Sequence, residues 1–213
     1  MKPGFSVLIG SRARHTHDRV SDTDVVRIGH KRRLKLETQR PIGSVSYIDY
    51  DLVKFSDLYR RGSLFIYHVF SEGRLLEGDR NAWKRLKNNF RVSTNFRREI
   101  SQNRKFLRWL HEGEKFKGAS IPYLAHACRA LKNLAIFSLA EKRRYIFDKR
   151  TALRRAFPAL TDEVIHLLIN ANNAFERPQS NRLAADDLSG DTMRLVRNQI
   201  AHAVRSAPQH ANR

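Results

Sequence analysis

Apolar and polar residues are patterned differently in the first 80 residues and in the rest of the chain. Residues 5–9 form a short apolar run that predicts a buried strand, and residues 44–53 alternate with period two, which predicts another. Gly78 and Asp79 form a turn signal, and no later stretch alternates with period two. The pattern predicts an α+β region at residues 1–80, followed by an all-helical region at residues 81–213.

The helical pattern is clearest after Ile121, where apolar residues recur every three or four positions. Pro122, near the first turn, suits the start of this helix. Further helices are predicted at residues 81–90, 94–111, 149–156, 162–175 and 190–204, with Pro158 and Pro178 as separators. Residues 62–73 are expected to form a packed helix that links the two regions.

Charge is concentrated in one segment of the 213-residue chain, whose net charge is +20. Residues 81–158 contain 20 Lys and Arg against 5 Asp and Glu, whereas residues 159–213 contain 6 of each. Clustered cations are typical of a polyanion-binding surface, so this segment predicts RNA as a partner. A basic surface that is merely solvated gives the same composition.

Cys128 is the single cysteine, so an intrachain disulfide is excluded and a reducing compartment is favoured. No apolar run approaches the roughly 20 residues that span a bilayer. The first ten residues are too short, and too near the motif that follows, for a signal peptide. We expect a cytoplasmic protein without membrane contact.

A small-residue turn follows the first strand, and two aspartates, Asp22 and Asp24, come ten residues after it. Residues two apart in an extended segment point to the same face. Two adjacent carboxylates beside such a turn suit a Mg²⁺ ion bridged to a triphosphate.

These residues resemble the signature of the nucleotidyltransferase superfamily, and most closely its minimal nucleotidyltransferase branch, which reads GSxARG, a short spacer and SDxD. The resemblance covers about the first 80 residues, with His15 standing where the branch has glycine. The matching residues are Gly10, Ser11, Arg12, Ala13, Arg14, Ser21, Asp22 and Asp24.

The resemblance implies a polymerase beta-like mixed sheet and transfer of a nucleoside monophosphate from an NTP, with ATP expected, to a hydroxyl of RNA, protein or a small molecule. Asp22 and Asp24 would hold two Mg²⁺ ions, while Gly10, Ser11 and Arg12 would bind the nucleotide. Two ions about 4 Å apart can stabilise both the attacking and the leaving oxygen.

The family also has a third acidic residue, on a neighbouring strand, which would complete the metal site and help to activate the nucleophile. Asp49 is the first choice, because Ile48 and Tyr50 give it the family's apolar-acid-apolar pattern. Asp51 is the alternate. If Ser46 occupies the position instead, the site has only two carboxylates.

A second motif lies in the last predicted helix, where Arg197, Asn198 and His202 form an RNxxxH pattern that resembles the active site of HEPN domains. HEPN domains are small helical bundles often paired with minimal nucleotidyltransferases, and their motif supports metal-independent RNA cleavage. Asn198 and His202 lie one turn apart on one helix face. Val204 stands where paired HEPN domains often have tyrosine. We expect a HEPN-like or substrate-binding bundle, with ribonuclease activity the less favoured use.

The first strand begins about five residues from Met1, without the preceding helix of the minimal branch. Another element or a partner chain must then cover that sheet face, which raises the prospect of a homodimer. The function that we expect is Mg²⁺-dependent nucleotidyl transfer. The alternative is a catalytically weak nucleotidyltransferase fold that acts as an RNA-binding or HEPN-type toxin-antitoxin module.

Overall fold

The computed structural model describes residues 4–17, 22–31, 45–112, 119–176 and 188–206. The chain divides into two compact units, which we call the sheet unit (Met1–Ser93) and the helical unit (Thr94–Arg213). The predicted α+β class is confirmed. The division lies after residue 93 instead of at the predicted residue 80.

The sheet unit contains both predicted strands and the helices that cover them. Its elements, in chain order, are β1 (Phe5–Ile9), α1 (Gly10–Ala13), β2 (Thr23–Ile28), β3 (Val45–Tyr50), α2 (Leu52–Arg60), α3 (Leu64–Glu72), β4 (Arg74–Glu77) and α4 (Arg80–Asn89). Strand β2 was expected only as an extended segment around Asp22 and Asp24, and β4 was not predicted, because four residues are too few for a clear alternation. The strand predicted at residues 44–53 is shorter in the structure, since α2 begins at Leu52.

The four strands form a mixed sheet in the order β3-β2-β1-β4. Strand β1 is antiparallel to both β2 and β4, whereas β2 and β3 are parallel. All five residues of β1 are buried, as its largely apolar sequence predicts, and Ser6 is the one polar residue among them. Strand β1 is therefore the centre around which the site residues are placed.

One face of the sheet packs against helices α2, α3 and α4. Phe5 lies with its ring centroid 5.2 Å from that of Trp83, which in turn lies 4.8 Å from that of Phe70. Trp83 belongs to α4, so this helix completes the core of the sheet unit. Helix α4 was predicted to lie in the second region, and this packing explains why the division comes later in the chain.

The opposite face of β1 and β2 is also covered within one chain. Ser6, Leu8, Thr23, Val25 and Arg27 alternate with the residues of the helix-covered face, and all five are buried. A partner chain is therefore not required to cover these strands. Dimerisation stays a prediction.

The helical unit is built around its longest helix. Its elements are α5 (Arg97–Glu112), α6 (Ser120–Glu141), α7 (Lys149–Ala156), α8 (Asp162–Glu176) and α9 (Gly190–Ser206). Helix α6 packs against α5, α7 and α8, and α5 packs against α9. The bounds of α5, α7, α8 and α9 agree to within a few residues with the helices that the spacing of apolar residues predicts. None of the described helices is long and apolar enough to cross a membrane.

Candidate active site

The turn at Gly10 and Ser11, which we call the Gly-Ser turn, lies directly against Asp24. Strand β1 ends at Ile9 and Gly10 follows with φ +76°, a conformation that glycine adopts without strain. A Cβ atom at this position would lie 3.0 Å from Asp24 Oδ2. The missing side chain leaves room for the carboxylate, so the turn and the aspartate share one site.

Asp22 and Asp24, which we call the aspartate pair, lie at the N-terminal start of strand β2. Asp24 lies opposite Ile9 in the antiparallel β1–β2 ladder, and Asp22 precedes the strand. Both are half-buried, and Asp24 shares the helix-covered face with Val26 and Ile28. Oxygen ligands of this kind are those that a hard cation such as Mg²⁺ prefers.

The loop that follows α1 is closed by backbone hydrogen bonds. Thr16 N donates to Ser11 O at 3.0 Å and His15 N donates to Arg12 O at 3.4 Å, the pattern of a Schellman motif. His15 takes the left-handed position of this motif with φ +59°. The histidine therefore keeps the backbone shape that a glycine would give, at a cost of about 1 kcal/mol.

An ion pair ties this loop to α3. Arg14 Nη1 donates to Glu72 Oε2 at 2.8 Å, and His68 Nε2 lies 3.2 Å from the same oxygen. The i, i+4 spacing of His68 and Glu72 predicts that they share a face, but the contact with Arg14 joins residues 58 apart in sequence. Nothing in the local pattern signals such a contact. Arg14 is thus occupied in holding the loop.

Asp49 does not join the aspartate pair. In the parallel β2–β3 ladder it lies opposite Arg27, three residues beyond Asp24. Because side chains alternate between faces along a strand, Asp49 and Arg27 lie on the face opposite to Asp24. Asp49 accepts hydrogen bonds from Arg27 Nε at 2.6 Å and Nη2 at 2.8 Å.

The Arg27 guanidinium contacts three groups, and its ion pair keeps Asp49 on this face of the sheet. Its guanidinium lies 4.0 Å from the Tyr47 ring centroid, and its Nη1 donates to the Lys31 carbonyl at 2.9 Å. The hydrogen bonds from Arg27 lower the pKa of Asp49 and raise the pKa of Arg27 itself. No local pattern predicts this role of Arg27, because the partner that balances its charge lies 22 residues away on another strand.

Asp51 and Ser46 complete the account of the third acid. Asp51 is the N-cap of α2, and its carboxylate accepts a hydrogen bond from Lys54 N at 2.7 Å. Ser46 lies opposite Asp24 on β3. The position beside the pair thus carries a hydroxyl, and within the described residues no three His, Cys, Asp or Glu side chains are grouped to hold a metal. Ser21, part of the sequence motif, lies outside the described residues.

The RNxxxH residues lie on α9 in the helical unit. Arg197 places its guanidinium 4.9 Å from the ring centroid of buried Tyr123, and burial raises the pKa of that tyrosine. Asn198 and His202 are exposed, one turn apart. A pair so exposed is available to a ligand, although Arg197 is engaged with the aromatic ring. The HEPN-like assignment stays a prediction.

The basic segment at residues 81–158 is shared by the two units. Helix α4 carries exposed Lys84, Arg85 and Lys87 in the sheet unit, whereas α5 carries exposed Arg98 and Arg108 in the helical unit. An RNA-binding surface must therefore be argued for each unit separately.

Comparisons with known proteins leave the function to be inferred from these residues. No protein-family model and no curated protein sequence matches the chain. A solved structure similar to it is spectinomycin adenyltransferase AAD(9) from Enterococcus faecialis with ATP and spectinomycin. The TM-score is 0.49 at 9% sequence identity, over 93% of this chain and 92% of that chain.

Proposed function

We propose that the sheet unit is a Mg²⁺-dependent nucleotidyltransferase, which moves a nucleoside monophosphate from an NTP, with ATP as the expected donor, to a hydroxyl acceptor. The observation that carries the proposal is the close approach of Asp24 Oδ2 to Gly10. It brings a turn suited to phosphate and a carboxylate suited to a cation into one place.

The turn supplies the phosphate-binding part of the proposed site. Gly10 and Ser11 present backbone at the end of β1, where no Cβ hinders the approach of a ligand to Gly10. Arg12 adds a positive charge to the same single helical turn. We assign these three residues to the triphosphate. Arg14 has the different role of holding the loop against Glu72.

Asp22 and Asp24 fit a divalent metal ion, because both are half-buried carboxylates at the N-terminal end of strand β2. Bound Mg²⁺ would neutralise charge on the phosphates and on the leaving oxygen. With two carboxylates in place, the described residues fit one ion directly. A second ion would take most of its ligands from the nucleotide and from water.

The acceptor hydroxyl would attack the α-phosphorus while the bond from that phosphorus to the bridging oxygen breaks, which releases pyrophosphate. The proton of the hydroxyl must pass to a base at the site. Asp24 is the carboxylate that we assign to this step, because it adjoins the Gly10 turn, whereas Asp49 lies on the other face and Ser46 is uncharged. With one carboxylate serving both metal and proton, a slow reaction is expected.

Ser46 also favours the second candidate function, a catalytically weak fold that acts as an RNA-binding or HEPN-type module. A hydroxyl beside Asp24 cannot supply the negative charge of a third acid. In that case the exposed Asn198 and His202 of α9 would carry the activity of the protein.

The experiment is nucleotide transfer by the purified chain with Mg²⁺ and each of four α-labelled NTPs, in the presence of cellular RNA or protein extract. We expect label in one acceptor fraction, and a loss of at least about 100-fold in the Asp22→Asn and Asp24→Asn variants. The matched control is Asp57→Asn, which removes a carboxylate of α2 that pairs with Arg61, the residue that follows the helix.

Label that persists in Asp24→Asn would contradict the metal assignment. No label in any fraction from correctly folded protein would contradict transferase activity and favour the second candidate.

A further inference from the structure

Four rings form a continuous row on the helical unit, which we call the ring row: Trp109 and Phe106 on α5, His126 on α6 and Phe175 on α8. Successive ring centroids lie 5.5, 6.3 and 5.6 Å apart. Neighbouring rings at these distances are in van der Waals contact. The row therefore crosses three helices as one surface.

Three of the four rings are exposed although they are apolar, and His126 between them is half-buried. Trp109 is 46% exposed, Phe175 is 40% and Phe106 is 38%. Among the described residues of the helical unit, Leu195 is the only other large hydrophobic side chain that is exposed. Grouping of exposed rings in one place is typical of a binding surface, whereas scattered single residues are not.

Cations adjoin the row along α6. Arg129 lies one turn beyond His126, with its guanidinium 5.7 Å from the Phe175 ring centroid and 3.0 Å from a carboxylate oxygen of Glu176. Lys132 follows three residues later on the same helix face. Burial lowers the pKa of Lys132, with neighbouring Lys149 of α7 and Arg129 acting in the same direction.

Like charges held together in this way favour an anion as their partner. Lys149 of α7 and Arg129 both lower the pKa of Lys132, and Glu176 is the acidic side chain among the described residues that raises it. A second copy of this chain would bring the same positive charges against them. A polyanion with flat apolar groups would satisfy both the cations and the rings.

We propose that the ring row binds single-stranded RNA, with unpaired bases stacked on Trp109, Phe106 and Phe175 and a phosphate placed on Arg129, whose guanidinium adjoins the Phe175 ring. RNA fits better than duplex DNA because stacking on side chains requires bases that are not already paired. The site lies wholly within the helical unit and does not depend on nucleotidyl transfer by the sheet unit.

The two tryptophans of the chain allow the proposal to be tested directly. Trp83 is buried in the sheet unit, so a base that stacks on Trp109 should quench the more exposed of the two indoles. We would titrate the full chain with an end-labelled oligouridylate of about 12 nucleotides and follow both anisotropy and tryptophan fluorescence.

Replacement of the rings separates stacking from general apolar contact. Trp109→Leu is expected to weaken binding by about tenfold or more, because it removes a stacking platform. Trp109→Phe is expected to keep the affinity within about threefold but to lose most of the fluorescence quenching. Circular dichroism would establish that both variants are folded, as expected for a side chain that is 46% exposed.

Two arginines provide a matched control for charge. Arg129 and Arg194 each pair with a carboxylate at 3.0 Å, those of Glu176 and Asp191, and each belongs to the helical unit. Arg129→Gln is expected to weaken RNA binding and to reduce the salt slope by about one unit, and Arg194→Gln is not. Asp24→Asn should leave RNA binding unchanged, which keeps this test independent of the transferase.

Equal affinities for wild type and Trp109→Leu would overturn the proposal, as would equal losses for the two arginine variants. Tighter binding of duplex RNA or of single-stranded DNA would also overturn it. If Trp109→Leu instead turned a dimer into a monomer and left RNA affinity unchanged, the ring row would be assigned to a second copy of the chain.

Discussion

Asp24 and Asp49 lie on adjacent parallel strands, yet they differ in the face of the sheet and in the groups that surround them. Asp24 is half-buried on the helix-covered face and adjoins a glycine turn. Asp49 is on the other face, where Arg27 forms two hydrogen bonds with its carboxylate. A carboxylate whose charge is already balanced by an arginine is a poor metal ligand, so strand register separates a proposed catalytic acid from a structural one.

The two faces of the sheet also differ in the side chains that pack on them. The face of Asp24 is backed by the aromatic core of Phe5, Phe70 and Trp83. The face of Asp49 carries Tyr47 and Arg27, which pair a ring with a cation. Variants of each layer should therefore affect stability to different extents.

The largest effect on stability is expected for Trp83→Ala, which removes the ring between Phe5 and Phe70. Loss of a buried aromatic side chain costs about 3–5 kcal/mol in the free energy of unfolding. Urea denaturation followed by circular dichroism measures the change. Trp109→Ala is the control, because that indole is 46% exposed and should cost far less. Similar losses for both variants would contradict the assignment of α4 to the core of the sheet unit.

A smaller loss is expected for Asp49→Asn, which removes the charge but leaves an amide oxygen for Arg27. The partly buried guanidinium then lacks its counter-charge, and we expect a loss of about 1–2 kcal/mol in the free energy of unfolding. Nucleotide transfer, where present, should remain within about twofold of the wild-type rate, since the site keeps both ligands. A much larger loss of transfer than of stability would restore Asp49 to the active site.

The ion pair of Arg27 and Asp49 predicts how the stability difference between wild type and Asp49→Asn varies with pH. Arg27 lowers the pKa of Asp49 in the folded chain, so the stabilisation is fully present above the unfolded value of about 3.9. It is lost as the pH falls through the lower folded value. The stability gap between wild type and Asp49→Asn should therefore be constant from about pH 5 to 7 and close in more acidic solution. A gap that widened on acidification would contradict the ion pair.

The smallest effect is expected at the left-handed loop position beside the Gly-Ser turn. His15→Gly should raise the free energy of unfolding by about 0.5–1 kcal/mol, because glycine adopts the same φ without strain. Arg143→Gly is a matched comparison, since Arg143 also has φ +59° after a helix, in the helical unit. Transfer activity should survive both changes. Loss of activity in His15→Gly alone would assign a direct role to the imidazole.

Local patterns predicted most of the fold, and long-range pairing explains what they missed. The largely apolar sequence at residues 5–9 and the three- to four-residue spacing of apolar residues after Ile121 were sufficient to predict β1 and α6. The contact between Gly10 and Asp24 follows from the antiparallel pairing of β1 and β2, which places Asp24 opposite Ile9. The spacing of the two halves of the motif is consistent with this pairing. Asp49 was misplaced because nothing local determines which β2 residue faces it in a parallel ladder.

The same limit explains the other differences. Asp51 reads as a strand residue until α2 is seen to begin after it, where it serves as the cap. Trp83 reads as part of an amphipathic helix, and only the packing of its ring on Phe5 assigns that helix to the sheet unit. Neither outcome depends on a pattern within the segment itself.

The central claim is that Asp24 binds the metal and Asp49 does not, and binding of Mn²⁺ in the presence of a non-hydrolysable ATP analogue tests it most directly. Electron paramagnetic resonance would report free Mn²⁺ during titration of wild type, Asp24→Asn and Asp49→Asn, without knowledge of the acceptor. We expect Asp24→Asn to weaken Mn²⁺ binding by about 100-fold and Asp49→Asn to bind as the wild type does. Loss of binding in Asp49→Asn, with Asp24→Asn unaffected, would contradict the account.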